Sequence, residues 1–192
     1  MTNTERHPWE PFVPHNARIL FLGSFPPPRK RWSMDFYYPN ITNDFWKIIG
    51  IIFFGEKEHF IDNAAKRFKE EEIKEFLAGK GIALYDAATE VCRLKENASD
   101  KFLQVVTPTD IAAILQGTPT CRAIITTGQK ATDTVTAMFG CEAPAIGSRT
   151  SIEINGESIN FWRMPSTSRA YPLAVEKKAE YYRTLFKEEN IL

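Results

Sequence analysis

The stretch Arg18-Ile-Leu-Phe-Leu-Gly23 is a continuous apolar run closed by glycine. A half-buried strand alternates apolar and polar residues, so a run without alternation reads as a strand covered on both faces, as in a parallel sheet. Two further stretches have the same form, Gly81-Ile-Ala-Leu-Tyr-Asp86 and Arg122-Ala-Ile-Ile-Thr-Thr-Gly128. Helical stretches lie between and beyond them. Asn43 to Phe53 begins under a Thr42 or Asn43 cap. Phe60 to Leu77 carries Phe60, Ala64, Phe68, Ile73 and Phe76 at amphipathic spacing. Thr109 to Gln116 and Lys130 to Phe139 are shorter. Thr150 to Ile154 and Ser158 to Met164 flank Asn155-Gly156, a hairpin signal. Pro172 then opens a final helix with Val175, Ala179, Tyr182 and Phe186 along one side. Strands alternating with helices predict an α/β domain, a three-layer α/β/α arrangement around a central, mostly parallel sheet of about four strands. Residues 1–16, with Pro8, Pro11 and Pro14, read as an N-terminal surface arm, and residues 17–192 as one domain.

Composition narrows the function classes. Lys and Arg total 24 and Asp and Glu total 24, so the chain has no formal net charge and is no polybasic nucleic-acid sponge. A local basic face stays open. The longest apolar run, Ile48 to Phe54, is too short to cross a bilayer, so no membrane association is expected. Met1 to Glu10 lacks the apolar core of a secretory signal. Cys92, Cys121 and Cys141 make no even set and no Cys-x-x-Cys, which predicts a reduced, cytoplasmic protein without an iron–sulfur cluster. His7, His15 and His59 are too scattered for a metal site or a triad and read as surface or internally satisfied residues.

In such sheets a ligand lies beyond the carboxyl ends of the strands, which directs attention to the segments after each run. The first is Gly23-Ser-Phe-Pro-Pro-Pro-Arg-Lys-Arg31, continuing to Tyr37-Tyr-Pro-Asn-Ile-Thr-Asn-Asp-Phe-Trp46. Three prolines force an extended turn. Arg29, Lys30 and Arg31 follow beside Trp32, Phe36, Tyr37 and Tyr38, a mixture that holds phosphates and stacks bases. The same spacing also suits a proline-rich surface loop whose aromatics belong to the core. Asn43 reads equally as a helix cap or as an amide offering a donor and an acceptor to a ligand or water. The second segment is Arg163-Met-Pro-Ser-Thr-Ser-Arg-Ala-Tyr-Pro172. Its hydroxyls and amides before a helix form a phosphate clamp, or merely cap that helix. Gly128-Gln-Lys-Ala131 lacks the nucleoside-triphosphate loop pattern, no Gly-x-Gly-x-x-Gly follows a strand, and Ser166 sits in no Gly-x-Ser-x-Gly elbow.

Together these segments resemble the uracil-DNA glycosylase superfamily, nearest its hypoxanthine-DNA glycosylase branch and then its mismatch-specific uracil/thymine branch. Gly23-Ser-Phe-Pro is similar to the motif Gly-Ser-Phe-Pro-Gly. Tyr37-Tyr38 and Asn43-Asp-Phe-Trp46 are similar to Tyr-Tyr-Ala-His-Pro-Arg-Asn-Ala-Phe-Trp at an unchanged interval. Leu84-Tyr-Asp86, Gly128-Gln-Lys-Ala131 and Met164-Pro-Ser-Thr-Ser168 follow in the same order, so the resemblance spans about Ile19 to Phe186.

The resemblance implies a monomeric, monofunctional enzyme that flips a deaminated base, uracil or hypoxanthine, out of DNA and hydrolyses its N-glycosidic bond without metal or cofactor. It implies a catalytic Asn43, orienting water or binding the base. Ser24, Phe25, Tyr38 and Asn40 would hold the base, with Tyr38 as the stacking ring. Arg29, Lys30, Arg31, Gly128, Lys130, Ser166, Ser168, Arg169 and Tyr171 would meet the DNA. Arg163, Lys177, Lys178, Arg183 and Lys187 would add to a positive rim. Where the mismatch-specific branch has a water-orienting Asn this chain has Phe25. Pro27, Asn40 and Arg169 replace a glycine, a histidine and a proline. Asp100, within Ala98-Ser-Asp100, loosely matches a Ser-Leu-Asp element. Those replacements favour a second reading, a catalytically silent nucleic-acid-binding protein of the same fold. A third is a free-nucleotide hydrolase or transferase sharing only the topology.

Overall fold

A computed structural model of the chain describes residues 4–94 and 100–192. Its elements in chain order are β1 (Thr4–Arg6), β2 (Ile19–Gly23), α1 (Phe45–Phe54), β3 (Ile61–Asp62), β4 (Arg67–Phe68), α2 (Glu70–Lys80), β5 (Ile82–Asp86), β6 (Ala88–Arg93), β7 (Leu103–Pro108), α3 (Ile111–Gln116), β8 (Ala123–Thr127), α4 (Gln129–Phe139), β9 (Ser148–Ile154), β10 (Glu157–Met164) and α5 (Val175–Glu188). The central sheet runs β5-β2-β8-β10-β9. Four strands are parallel; β9, the first arm of the Asn155-Gly156 hairpin, adds an antiparallel edge and brings the sheet to five.

All three apolar runs are strands whose every residue is buried. Phe21 of β2 packs on Phe45 of α1 and on Tyr182 and Phe186 of α5, and Phe53 and Phe76 join α1 to α2 on the same face. The neighbouring position in the paired strand, Thr126, turns to the other face and meets Thr132 of α4 at 2.8 Å. Helices therefore cover both faces, which is why the strands carry no polar alternation.

The stretch from Phe60 to Leu77 departs from the expected single helix. Asp62 Oδ1 accepts from the Ala65 amide, and Lys66 takes a left-handed φ of 53°. This turn closes the β3–β4 hairpin, and α2 starts only at Glu70, where Glu70, Glu71 and Glu72 meet the positive end of the helix. The last helix likewise starts at Val175 rather than Pro172, so Ser166 and Ser168 do not cap it. A second sheet, β1-β6-β7, forms from segments without an alternating signature. Beyond β1 the N-terminal segment exchanges hydrogen bonds between Phe12 and Leu84, covering the open edge of β5.

Pairing Gly23 with Asp86, Leu22 with Thr126, and Met164 with Thr127 brings four strands to their carboxyl ends at one level. Above that level the connections are clamped by one charge. Lys178 of α5 is completely buried, and its Nζ donates to Asp44 Oδ2 at 2.7 Å and to the Ser168 carbonyl at 2.8 Å. The Asp44 amide donates to the Thr167 carbonyl at 2.8 Å, and the Tyr182 hydroxyl donates to the Pro165 carbonyl. Lys178→Met should cost about 3 kcal/mol by leaving the Asp44 carboxylate with only the longer Lys47 contact at 3.9 Å, measured by urea denaturation. Adding Asp44→Leu should return a large part of that loss.

Candidate active site

A cavity of about 500 Å³ opens at the carboxyl ends of β2, β5, β8 and β10. Its floor begins at Gly23, where an added Cβ would collide with Asp86 Oδ1 and lie 3.5 Å from the Tyr38 hydroxyl. Only glycine permits the backbone, the carboxylate and the phenol to come so close.

Tyr38 forms one wall. Its ring stacks on Phe45 at 3.9 Å with an 8° tilt, and its hydroxyl meets Thr127 Oγ1 at 2.9 Å. Its backbone φ is 52°, a conformation a bulky side chain adopts only when the surroundings impose it. Burial, and after it the Asp86 carboxylate, holds the phenol well above its ordinary pKa, with the Thr127 hydrogen bond opposing them. Tyr38 is therefore a fixed neutral ring, backed on one side.

Asn40 and Asn43 also line the cavity. Asn43 Oδ1 accepts from the Phe45 amide at 2.9 Å, and Asn40 Oδ1 accepts from the amide and hydroxyl of Thr42. A backbone N–H can bond only the oxygen of an amide, so these contacts fix both side-chain orientations. The Asn43 oxygen caps the turn into α1, and neither Nδ2 has a partner among the described residues.

Ser24, Phe25, Gly128, Lys130, Ser166, Ser168 and Tyr171 complete the walls among the sequence-derived candidates. Gly128, with φ 119°, lets the turn from β8 to α4 pass against Ser166. Ser166 and Ser168 oxygens accept from the amides of Ser168 and Ala170, which holds the serine-bearing turn in shape. Arg29, Lys30 and Arg31 form an exposed turn away from the cavity walls, with the Arg29 guanidinium 5.1 Å from the Trp32 ring; Arg169 is exposed and also lies off the walls. The basic groups on the walls are Lys101, Lys130 and Arg163. Lys178, counted toward a positive rim, is taken inside by Asp44, and Lys177 pairs with Glu180.

Besides Asp100, which the loose Ser-Leu-Asp match marked, the structure adds groups that no local pattern marked. Trp9 from the N-terminal segment reaches the rim, and its indole N–H donates to Asp35 Oδ1. His7, read from sequence as a surface or internally satisfied residue, has its side chain buried with Nε2 2.9 Å from Asp86 Oδ2. Seventy-nine positions separate the pair, so only the fold brings it together. Asp100 accepts from the Ser24 hydroxyl at 2.9 Å; Ala98 and Ser99 lie outside the described residues. Ile146, large and exposed, stands at the rim between α4 and β9.

A solved structure of this architecture matches the chain across its length. It is the solution NMR structure of a protein from Methanosarcina acetivorans described as a "putative Uracil DNA glycosylase", 21% identical, covering 98% of this chain and 99% of that one with a TM-score of 0.66. That likeness establishes a common fold. No protein-family model and no curated protein matches the chain.

Burial raises the Asp100 pKa above 3.8, the Ser24 hydrogen bond partly opposes it, and the Asp86 carboxylate adds to the rise. An acid raised on folding makes the folded state bind more protons than the unfolded state, so this group's contribution falls as pH climbs from 3.8 through the folded value. Asp100 remains exposed to solvent, which screens its charge, so Asp100→Asn should raise the melting temperature only slightly at neutral pH, and the gain should vanish when both states are protonated at low pH. Melting curves across that range check this.

Proposed function

We propose that the chain is a DNA glycosylase that takes a deaminated base, uracil or hypoxanthine, out of the DNA stack and hydrolyses its N-glycosidic bond. The observation that carries this reading is a neutral ring held in a strained conformation and backed by Phe45, sharing a cavity with two free amide donors. The fold shared with the M. acetivorans protein supports it.

Extruding a base costs a few kcal/mol of unpairing and unstacking, least at a mismatch or in a single strand. The open face of Tyr38 would recover part of that cost by stacking. As the bond breaks, negative charge gathers on the departing base and positive charge on the sugar. Asn43 Nδ2 and Asn40 Nδ2, aimed at the carbonyl oxygens of the base, would strengthen as that charge develops and so favour the transition state over the ground state. Lys101, Lys130 and Arg163 would meet phosphates around the opening. So few cations imply modest, salt-sensitive affinity. Ile146 would enter the gap left in the duplex, as inserted apolar side chains do.

Purified protein incubated with oligonucleotides bearing uracil, hypoxanthine or xanthine, then treated with alkali, should yield strand breaks at one or more of these bases. No break at stoichiometric enzyme would reject the reading, and selective binding without base release would establish the catalytically silent alternative. Asn43→Ala should slow release by ~100-fold, the scale of removing one preorganised donor, with folding retained by circular dichroism. Ile146→Ala should lower release from duplex by on the order of tenfold and leave release from single strands unchanged, because only the duplex has a gap to fill. Equal losses on both substrates would remove Ile146 from that role.

A further inference from the structure

The two cavity amides offer donors, and each has its oxygen engaged by its own turn. Hydrolysis also needs an acceptor for the proton that the attacking water sheds. We infer that Asp86 is this catalytic carboxylate and that His7 is the residue that positions it; the inference rests on the glycosylase reading above.

Asp86 ends β5 on the cavity floor. Its Oδ1 lies over Gly23, close to the space the Tyr38 hydroxyl approaches, so the carboxylate and the stacking ring converge at one point of the floor. Oδ2 is engaged from behind by His7, whose side chain is 2% exposed. The His7 ring is boxed in by Tyr37, Tyr85, Phe25 and Trp9. On its far side Nδ1 lies 3.2 Å from the Trp9 amide and 2.8 Å from the Trp9 carbonyl. If Nδ1 accepts from that amide, the neutral ring carries its proton on Nε2. If Nδ1 donates to that carbonyl, the ionised Asp86 carboxylate, which can only accept, requires a second proton on Nε2. Both forms present Nε2–H to Asp86, which fixes the carboxylate plane and leaves Oδ1 toward the cavity.

The step balances without a further reactant. The bond from the sugar C1′ to the base nitrogen breaks, and its electron pair leaves on the base. The water oxygen bonds C1′, and its proton passes to Asp86. The departing base takes a proton from solvent, and Asp86 returns its own to solvent. Before the proton moves, the carboxylate charge also stabilises the cationic sugar, the task carboxylates perform in glycoside hydrolysis.

The test compares single-turnover base release, affinity for a duplex holding an uncleavable abasic analogue, and thermal unfolding. Asp86→Asn should slow release by ~100-fold or more while affinity holds, the range for a positioned general base. Asp86→Ala should regain rate on addition of sodium formate, a diffusible carboxylate. His7→Ala should slow release roughly tenfold, the scale of one hydrogen bond to a charged group, and His7→Gln, whose amide can donate in its place, should restore most of it. An unchanged rate in Asp86→Asn, or formate without effect on Asp86→Ala, overturns the assignment while leaving an active wild type as a glycosylase. A wild type that releases no base overturns both readings. Should both Asp86 variants fail to fold, equal rates for His7→Ala and His7→Gln overturn it and a clear difference upholds it.

Discussion

An ammonium group with no exposure to water is tolerable only where a carboxylate and a carbonyl replace its hydration, and Lys178 is held by both. The constraint works outward from that point. Asp44 must stand at the entrance to α1, which fixes Asn43 one position before it. The Ser168 carbonyl must face α5, which fixes the serine-bearing turn. The Asp44 amide then ties the two together through Thr167. One buried pair thus sets the separation of two cavity walls that lie more than a hundred positions apart in the chain.

The parallel register supplies the other half of the arrangement. Strands that end together present Gly23, Asp86 and Thr127 side by side, and each contributes something different. Gly23 gives space, Asp86 gives charge, and Thr127 gives the hydroxyl that holds Tyr38. The left-handed backbone of Tyr38 is sustained by that bond and by the stack on Phe45, and such strain concentrates where a side chain must be held for a purpose other than packing.

Charge is distributed unevenly around the cavity. The two amides offer donors on one side, while Asp86 and Asp100 stand as carboxyl groups on the floor and wall, one backed by His7 and the other engaged by Ser24. Asp86 raises the pKa of Asp100, Tyr38, Tyr37 and Tyr85, so its field reaches much of this end of the molecule. A neutral chain can therefore carry a polarised site, with its few cations confined to the opening.

The amino-acid sequence by itself determined the three core strands, the hairpin at Asn155-Gly156 and the segments that line the cavity, because those features depend on near neighbours: unbroken apolar runs, a turn dipeptide, polar residues just beyond a strand end. It carried no sign of the His7–Asp86 contact, nor that Lys178 would leave the surface, since a helical lysine reads as solvated until its partner is known. The turn within 60–69 was hidden by apolar residues at helical spacing, which the Asp62 contact and the Lys66 conformation override. Tertiary structure decided which polar groups face one another. Hydrogen bonds and ion pairs act over a few ångströms in space and are indifferent to distance along the chain.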